Sequence, residues 1–435
     1  MTSVSADSVE AAAEAVIEQP THFVDAVSAL ADSRDVRADR DIVSSSGIKL
    51  VARGTRIDAN LRQKLAGHRL ADTTLEKTLA VAGGITPQSL AEEAARLIDA
   101  SSWLQRLATR SDDAAAMRHG FARLALPREI LFRLTVAREQ RPALFRHSLG
   151  VALVSHYVAL RSELQQHEVD IALTASLCHD LGELYTDPAI LAPEHRCTDE
   201  ERRYVYVHPI TGWLIVRDVP EIDTAVATAV LQHHERLDGS GYPHGRRGEQ
   251  IGMPARIIGV ADVCESLMAR YADHRRLSVL LRLNQQRFDR HVVALVHEAL
   301  APNETAKAFE REPLAKRLVA FAAVLEQWAR LRSDTAIAQV PAAAFLSERM
   351  FNLRSMMIGF GFDADSFELP LKLAEEDPTI ANELSAVVDE VQYQLADLGR
   401  EFDRRSAELI GTLDASSVGP LLEWRRRLGD WSGAR

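Results

Sequence analysis

Apolar positions along this chain recur mostly at helical spacing, and strand-like stretches are few. Val151, Val154 and Val158 share one face of a run opened by Pro142, and Ile222, Val226 and Val230 mark another. Ile171 to Leu181 reads as a hydrophobic helix that stops at Gly182, and Arg256 to Val263 is an apolar run interrupted by one acid, Asp262. Leu314, Leu318, Phe321, Leu325, Trp328 and Leu331 alternate four and three apart. Leu384, Val388, Val391, Leu395, Leu398 and Phe402 do the same after an Asp377-Pro378 start signal. A stripe of this kind is ordinary bundle core, or it pairs with another helix across a dimer; this one runs about three heptads and breaks at Arg405. The strand-like exception lies near the N-terminus. Ile48 to Ala52 follows the turn-rich Ser44 to Gly47, and Gly54 precedes Thr55 to Ile57, which predicts a small β-hairpin.

These patterns predict a mainly α fold in four stretches. Residues 1–40, rich in Ala, Ser and Asp, form a weakly ordered or helical lead-in. Residues 41–135 carry the hairpin, a helix capped by Asp58 with Leu61, Leu65 and Leu70, and then several helices over 72–135 broken at Gly83-Gly84 and Thr86-Pro87. Residues 136–300 are a helical bundle holding most of the chemistry, and 301–435 are a C-terminal helical domain.

Composition narrows the function. The 435 residues are 46% hydrophobic and 26% charged, ordinary for a globular chain. A net charge of -11 argues against polymeric nucleic acid as a partner, which needs a basic footprint, but leaves a small nucleotide open. Three cysteines without CxxC spacing fit a reducing compartment, and Cys178 and Cys264 sit in apolar runs as packing thiols. No basic segment precedes an apolar one at the start, and no apolar run approaches the ~20 residues that span a bilayer. The expected address is the cytoplasm, without membrane insertion.

Chemistry enters with charged groups on apolar faces. His147 shares the face of Val151, Val154 and Val158; His179-Asp180 and His233-His234-Glu235 end hydrophobic helices; Asp262 interrupts its apolar run. A bare acid in such a run is costly to bury unless paired or bound to a cation. Imidazoles and carboxylates are also the ligand types for a borderline divalent ion. Each group alone reads as a satisfied core histidine or an ion pair. Four such clusters, expected to end four consecutive helices within about 120 residues, point together to a metal centre.

The motifs carry a resemblance. His179-Asp180 is the signature of the HD phosphohydrolase superfamily, and His233-His234-Glu235-Arg236-Leu237-Asp238-Gly239-Ser240-Gly241-Tyr242-Pro243 resembles the diagnostic stretch of its HD-GYP branch. His208-Pro209-Ile210-Thr211-Gly212, Ile257 to Asp262 and Gln286-Arg287-Phe288-Asp289 are similar to further family elements in the same order. The likeness covers 140–300, about a third of the chain. It implies an HD-type helical bundle that holds two divalent transition-metal ions, iron or manganese, and hydrolyses cyclic di-GMP in bacterial signalling. His147, His179, Asp180 and Asp262 would hold one ion and His208, His233 and His234 the other, with Asp180 shared and His179-Asp180 at the catalytic heart. Relatives with a third ion carry a glutamate where this chain has Ala143, so two ions are expected.

The same resemblance assigns substrate contacts to Arg236, Gly239, Gly241, Tyr242 and Pro243, with Tyr242 either stacking on a guanine or packing. Two positions depart from the family. Its phosphate-gripping lysine is Glu183 here, and its arginine-proline-tyrosine run becomes Arg270-Tyr271-Ala272-Asp273, with Arg275 or Arg276 as substitutes. A different nucleotide phosphoester, or a low-turnover signalling scaffold, therefore stands beside cyclic di-GMP hydrolysis.

Overall fold

The computed structural model describes residues 13, 17, 21–58, 78–109, 113–191, 195, 198–271, 277, 281, 286–300, 310–334, 337, 340–359, 367–376 and 378–432. They fall into two compact units, Met1–Ala272 with Gln285–Ala301, and Asp273–Asn284 with Pro302–Arg435.

The first unit opens with α1 (Thr21–Ser33), followed by β1 (Val36–Ala38), β2 (Ile42–Val43), β3 (Lys49–Val51) and β4 (Leu79–Val81). β2 and β3 pair antiparallel around the serine turn, where the Ser44 amide donates to the Ile48 carbonyl at 2.8 Å and the Ile48 amide to Ser44 Oγ at 3.0 Å. β1 pairs antiparallel with β4, Val36 opposite Val81 and Ala38 opposite Leu79. The hairpin arms thus flank Ser44–Gly47, and Thr55 to Ile57 contributes only an isolated bridge from Arg56 to Arg37. Leu79–Val81 corrects the all-helical expectation over 72–135. Three residues are too few to show a period of two, and what holds them is the burial of Val36, Ala38 and Leu79. The helix expected after Asp58 lies outside the described residues.

Among the described residues, helices then follow without interruption by sheet. They are α2 (Pro87–Ala100), α3 (Ser102–Thr109), α4 (Asp113–Arg123), α5 (Arg128–Gln140), α6 (Pro142–Arg161) and α7 (Gln166–Cys178). A 3-10 helix (Leu181–Tyr185) leads to α8 (Asp199–Arg217), α9 (Thr224–Gln232), α10 (Met253–Tyr271) and α11 (Arg290–Leu300). α2 begins as Thr86-Pro87 predicts, with the Ser89 amide donating to Thr86 Oγ1 at 3.1 Å in a capping box. α6 is the hub of this unit, buried at every position from Ser148 to Ala159 and packed against α7 and α10. By length and composition its 20 residues are apolar enough to cross a membrane, which run length alone had not revealed. With 72% of that window buried inside the protein, its apolarity is that of a core helix.

The second unit contains α12 (Arg311–Asp334), α13 (Ala344–Gly359), α14 (Glu368–Glu376), α15 (Pro378–Thr412) and α16 (Ala415–Ser432). Both four-three stripes bury here: Leu314, Leu318, Phe321, Trp328 and Leu331 from α12, and Leu384 through Phe402 from α15. Trp424 packs at a tilt against Trp328 with ring centroids 4.8 Å apart and donates its Nε1–H to the Val324 carbonyl at 3.3 Å. Of the two readings of the α15 stripe, the structure shows the intrachain one. Fully burying side chains of this size stabilises by roughly 1.5–3 kcal/mol each, and the unit's own helices achieve it without a second copy.

Candidate metal centre

The ligand residues arrive from five elements. His147 lies in the second turn of α6, His179 and Asp180 directly follow α7, His208 lies within α8, His233 and His234 follow α9, and Asp262 lies within α10. Only two of the four clusters therefore end helices; His147, His208 and Asp262 project from helix bodies. Pro209 continues α8 just after His208. The 3-10 helix crosses α8 at backbone contact, because a Cβ at Gly182 would fall 2.2 Å from the His208 carbonyl oxygen. That crossing brings Asp180 to His208.

Asp180 sits at the centre. Its Oδ2 lies 3.0 Å from His179 Nε2 and 3.5 Å from His147 Nε2, while its Oδ1 lies 3.3 Å from His208 Nε2 and 3.6 Å from His233 Nε2. Asp262 adds Oδ1 at 3.3 Å from His147 Nε2 and Oδ2 at 3.8 Å from His234 Nδ1. Two ligand groups result, His147-His179-Asp180 and Asp180-His208-His233-His234, each with donor atoms within 4.8 Å of one another. They share Asp180, which faces them through opposite oxygens.

The imidazoles are preset. Nδ1 of His179, His208 and His233 donates to the carbonyl three residues earlier, of Ser176 at 2.7 Å, Val205 at 2.6 Å and Val230 at 2.6 Å. Each Nε2 lone pair is thereby turned into the cluster. His208 Nε2 and His233 Nε2 then face each other at 3.2 Å, and His179 Nε2, buried beside Asp180, lacks hydrogen-bonding geometry. Lone pairs converging on a carboxylate require a cation or a proton between them. The donor set suits a borderline divalent metal, so the residues fit such an ion.

Electrostatics agree. Burial raises the Asp180 carboxyl, but His179, His208 and His233 overcome it and hold the group well below the usual range. Burial pulls His147 and His208 down, while Asp262 and Glu265 around the first and Asp180 beside the second hold both above the ordinary value. Burial drives His233 down to about 4 and, with His233 and His208 beside it, His234 well below its usual range. Ionised Asp180 with neutral His233 and His234 is the state a metal ion needs, while His147 and His208 hold protons that an ion would displace.

Glu265 was not anticipated. Buried one turn after Asp262, it places Oε2 2.5 Å from His147 Nδ1 and does for His147 what carbonyls do for the other three. An acid at i+3 from Asp262 in an apolar run was the available signal. Glu235, grouped by sequence with the ligand types, turns away from the cluster instead. Its carboxylate accepts the His244 amide at 2.8 Å and the Arg246 amide at 2.9 Å, tying the following loop to the end of α9.

The expected substrate contacts divide. In the loop, a Cβ at Gly241 would lie 2.4 Å from both the Arg236 nitrogen and the His234 carbonyl, so only glycine fits where the chain folds back. The Gly239 amide donates to the Arg236 carbonyl at 2.7 Å, the Tyr242 amide reaches the His234 carbonyl at 3.2 Å, and the Tyr242-Pro243 peptide is cis. The Tyr242 ring stacks on His234 at 4.6 Å and 27°. Arg236 braces the loop, donating from Nη1 to the His233 and Glu235 carbonyls at 3.0 and 2.9 Å and lying 5.0 Å above the Phe288 ring. Glu183 follows Asp180 by three residues on the 3-10 helix, where side chains at that spacing eclipse. Burial, then the Asp180 charge, pushes it up to about 7. Arg141, which donates to the Thr186 carbonyl at 3.2 Å, is the arginine whose charge faces Glu183. The Arg270 side chain lies outside the described residues, as do Arg275 and Arg276.

Residues 133–292 match the family model described as HD domain, the superfamily that the motifs resemble. The cyclic di-GMP phosphodiesterase PA4108 of Pseudomonas aeruginosa is 34% identical over 154 residues, 35% of this chain and 35% of that protein. The cyclic di-GMP phosphodiesterase response regulator RpfG of Xanthomonas campestris is 35% identical over 33% of this chain and 38% of its own. The 3'3'-cGAMP-specific phosphodiesterase 1 of Vibrio cholerae is 33% identical over 28% of each. The matched stretch thus spans well under half the length of each of these relatives.

Proposed function

We propose that this chain is a two-metal phosphodiesterase that hydrolyses a cyclic dinucleotide, cyclic di-GMP foremost, in bacterial cytoplasmic signalling. The observation that carries the reading is Asp180, whose two oxygens each face a separate set of imidazole nitrogens. His147, His179, Asp180 and Asp262 would hold one divalent ion, and His208, His233 and His234 with Asp180 the other, iron or manganese suiting the donors equally. When bound, such a pair lowers the pKa of water and offsets charge on a phosphoryl group. The chain's own residues supply the rest. Nδ1–H bonds to carbonyls keep three imidazoles from rotating, Glu265 does so for His147, and the Tyr242 ring against His234 shields one side of the cluster from water.

Glu183 favours a second reading, a different nucleotide phosphoester. It sets an acid where the family resemblance implies a phosphate-gripping lysine, and one similar protein carries the name of a cGAMP-specific enzyme. Among the described residues the ligand set is drawn from the helices of the first unit, and we assign the β pairs and the second unit a regulatory role. The test is turnover by protein loaded anaerobically with iron or manganese, on cyclic di-GMP, 3'3'-cGAMP and cyclic di-AMP. Faster hydrolysis of cyclic di-GMP supports the first reading, and preference for another diester the second. Full metal loading with no turnover of any would overturn both in favour of a signalling scaffold.

A further inference from the structure

Aromatic rings continue outward from the metal centre. Tyr242, stacked on His234, is also in ring contact with Tyr206 at 4.5 Å and an interplanar angle of 59°. Tyr206 stands on α8 two residues before His208 and remains 37% exposed. Among the described residues of the first unit, the large apolar side chains left this open are Ile48, Tyr204 and Tyr206. Ile48 belongs to the serine turn of the hairpin, and of the three only Tyr206 touches a ring that itself lies on a candidate ligand.

We propose that Tyr206 is a specificity-determining residue whose exposed ring stacks on a purine base of the substrate. The proposal deepens the reading above and rests on it for the place of the phosphate. A phosphodiester held at Asp180 carries its base one ribose away. Tyr242 is committed to His234 and mostly covered, so it blocks the near position, and the ring one step further out is the open one. Tyr206 also rides on the helix that carries His208, so base and phosphate would be gripped by a single rigid element. Stacking on one aromatic ring tolerates any base but grows with ring area, which orders purines above pyrimidines.

Calorimetric binding to the manganese-loaded full chain tests this, with 5′-GMP, 5′-UMP and ribose 5-phosphate as probes. Wild type should bind GMP more tightly than UMP, and both more tightly than ribose 5-phosphate. Tyr206→Leu keeps apolar bulk but removes the ring. It should weaken GMP at least about fivefold, the lower bound for loss of one stacking contact. Ribose 5-phosphate affinity and metal content should not move, and Tyr206→Phe should restore GMP binding to within about twofold. In turnover, Tyr206→Leu should raise KM for the cyclic dinucleotide with little change in kcat. Equal GMP affinity in wild type and Tyr206→Leu, or parallel weakening of ribose 5-phosphate, overturns the base subsite. Because mononucleotide binding needs no turnover, an inactive protein with Tyr206-dependent GMP binding would sink the phosphodiesterase reading and leave the subsite standing.

Discussion

The cluster around Asp180 and the core of the second unit are built on opposite principles. The first gathers five buried or half-buried histidines and two carboxylates at distances where the metal-free chain must leave lone pairs opposed. The second buries Leu395, Leu398, Phe402, Trp424 and Leu428 almost completely and asks for nothing but shape. In the first, burial of polar groups costs stability that only pairing with protons or a cation offsets; in the second, each side chain contributes stability by leaving water. Substitutions should therefore separate cleanly, changing ligand content in one region and folding in the other.

The sharpest break in that contrast is Asp180→Ala. Since both ligand groups use Asp180, elemental analysis should fall from about two transition-metal ions per chain to near zero, with turnover down by more than about a thousandfold. Retention of both ions would remove the shared-carboxylate assignment. Next in size, Leu395→Ala in the second unit should cost about 2–5 kcal/mol in denaturant unfolding while metal content stays at wild-type level. Loss of metal there would show the two regions to be one cooperative system.

Acidity gives a graded test. His147 and His208 are held above the ordinary histidine value, so near neutral pH they keep protons that a cation must displace. Metal affinity should rise about tenfold per pH unit for each proton released, checked by calorimetry in buffers of different ionisation enthalpy. In the metal-free chain these two histidines contribute stability that is complete below about pH 6.5 and lost as pH rises through their raised values. His233, at about 4, and His234 act in reverse, their contribution being lost as pH falls below about 6.5. The smallest expected effect belongs to Glu183→Lys. Opposed charges about 4 Å apart interact by at most roughly 4 kcal/mol at an effective dielectric near 20, so even a third of that gives about tenfold. Cyclic di-GMP turnover should rise several-fold at unchanged metal content, and more at pH 8 than at pH 6, because Glu183 ionises near 7. A fall in activity on every diester would mean that Glu183 serves the natural substrate.

Most of the bundle was legible in the sequence, and so were the seven candidate ligands that converge here, His208 through the family motif rather than its spacing. Helical spacing of apolar residues marks buried faces, and a histidine or acid on such a face needs a partner to be there at all. What escaped has physical reasons. β1 and β4 are three residues each and pair across some forty intervening positions, too short for a period and too distant for a turn signal. Glu265 hid because its partner, His147, lies 118 residues away. Glu235 misled because its place beside two ligands says nothing of which way its carboxylate turns, and the loop amides claim it.

The three Nδ1–carbonyl bonds set how tolerant the centre is to drift. At His179, His208 and His233 the aligning partner is main chain, offered by the same stretch of helix whatever side chain stands at Ser176, Val205 or Val230. Substitution of the side chains at those three positions leaves the carbonyl acceptors, and so the alignment of the imidazoles, in place. Of the four imidazoles held through Nδ1, His147 alone depends on a side-chain acceptor, and Glu265 is therefore the aligning acceptor that a single nucleotide change can abolish.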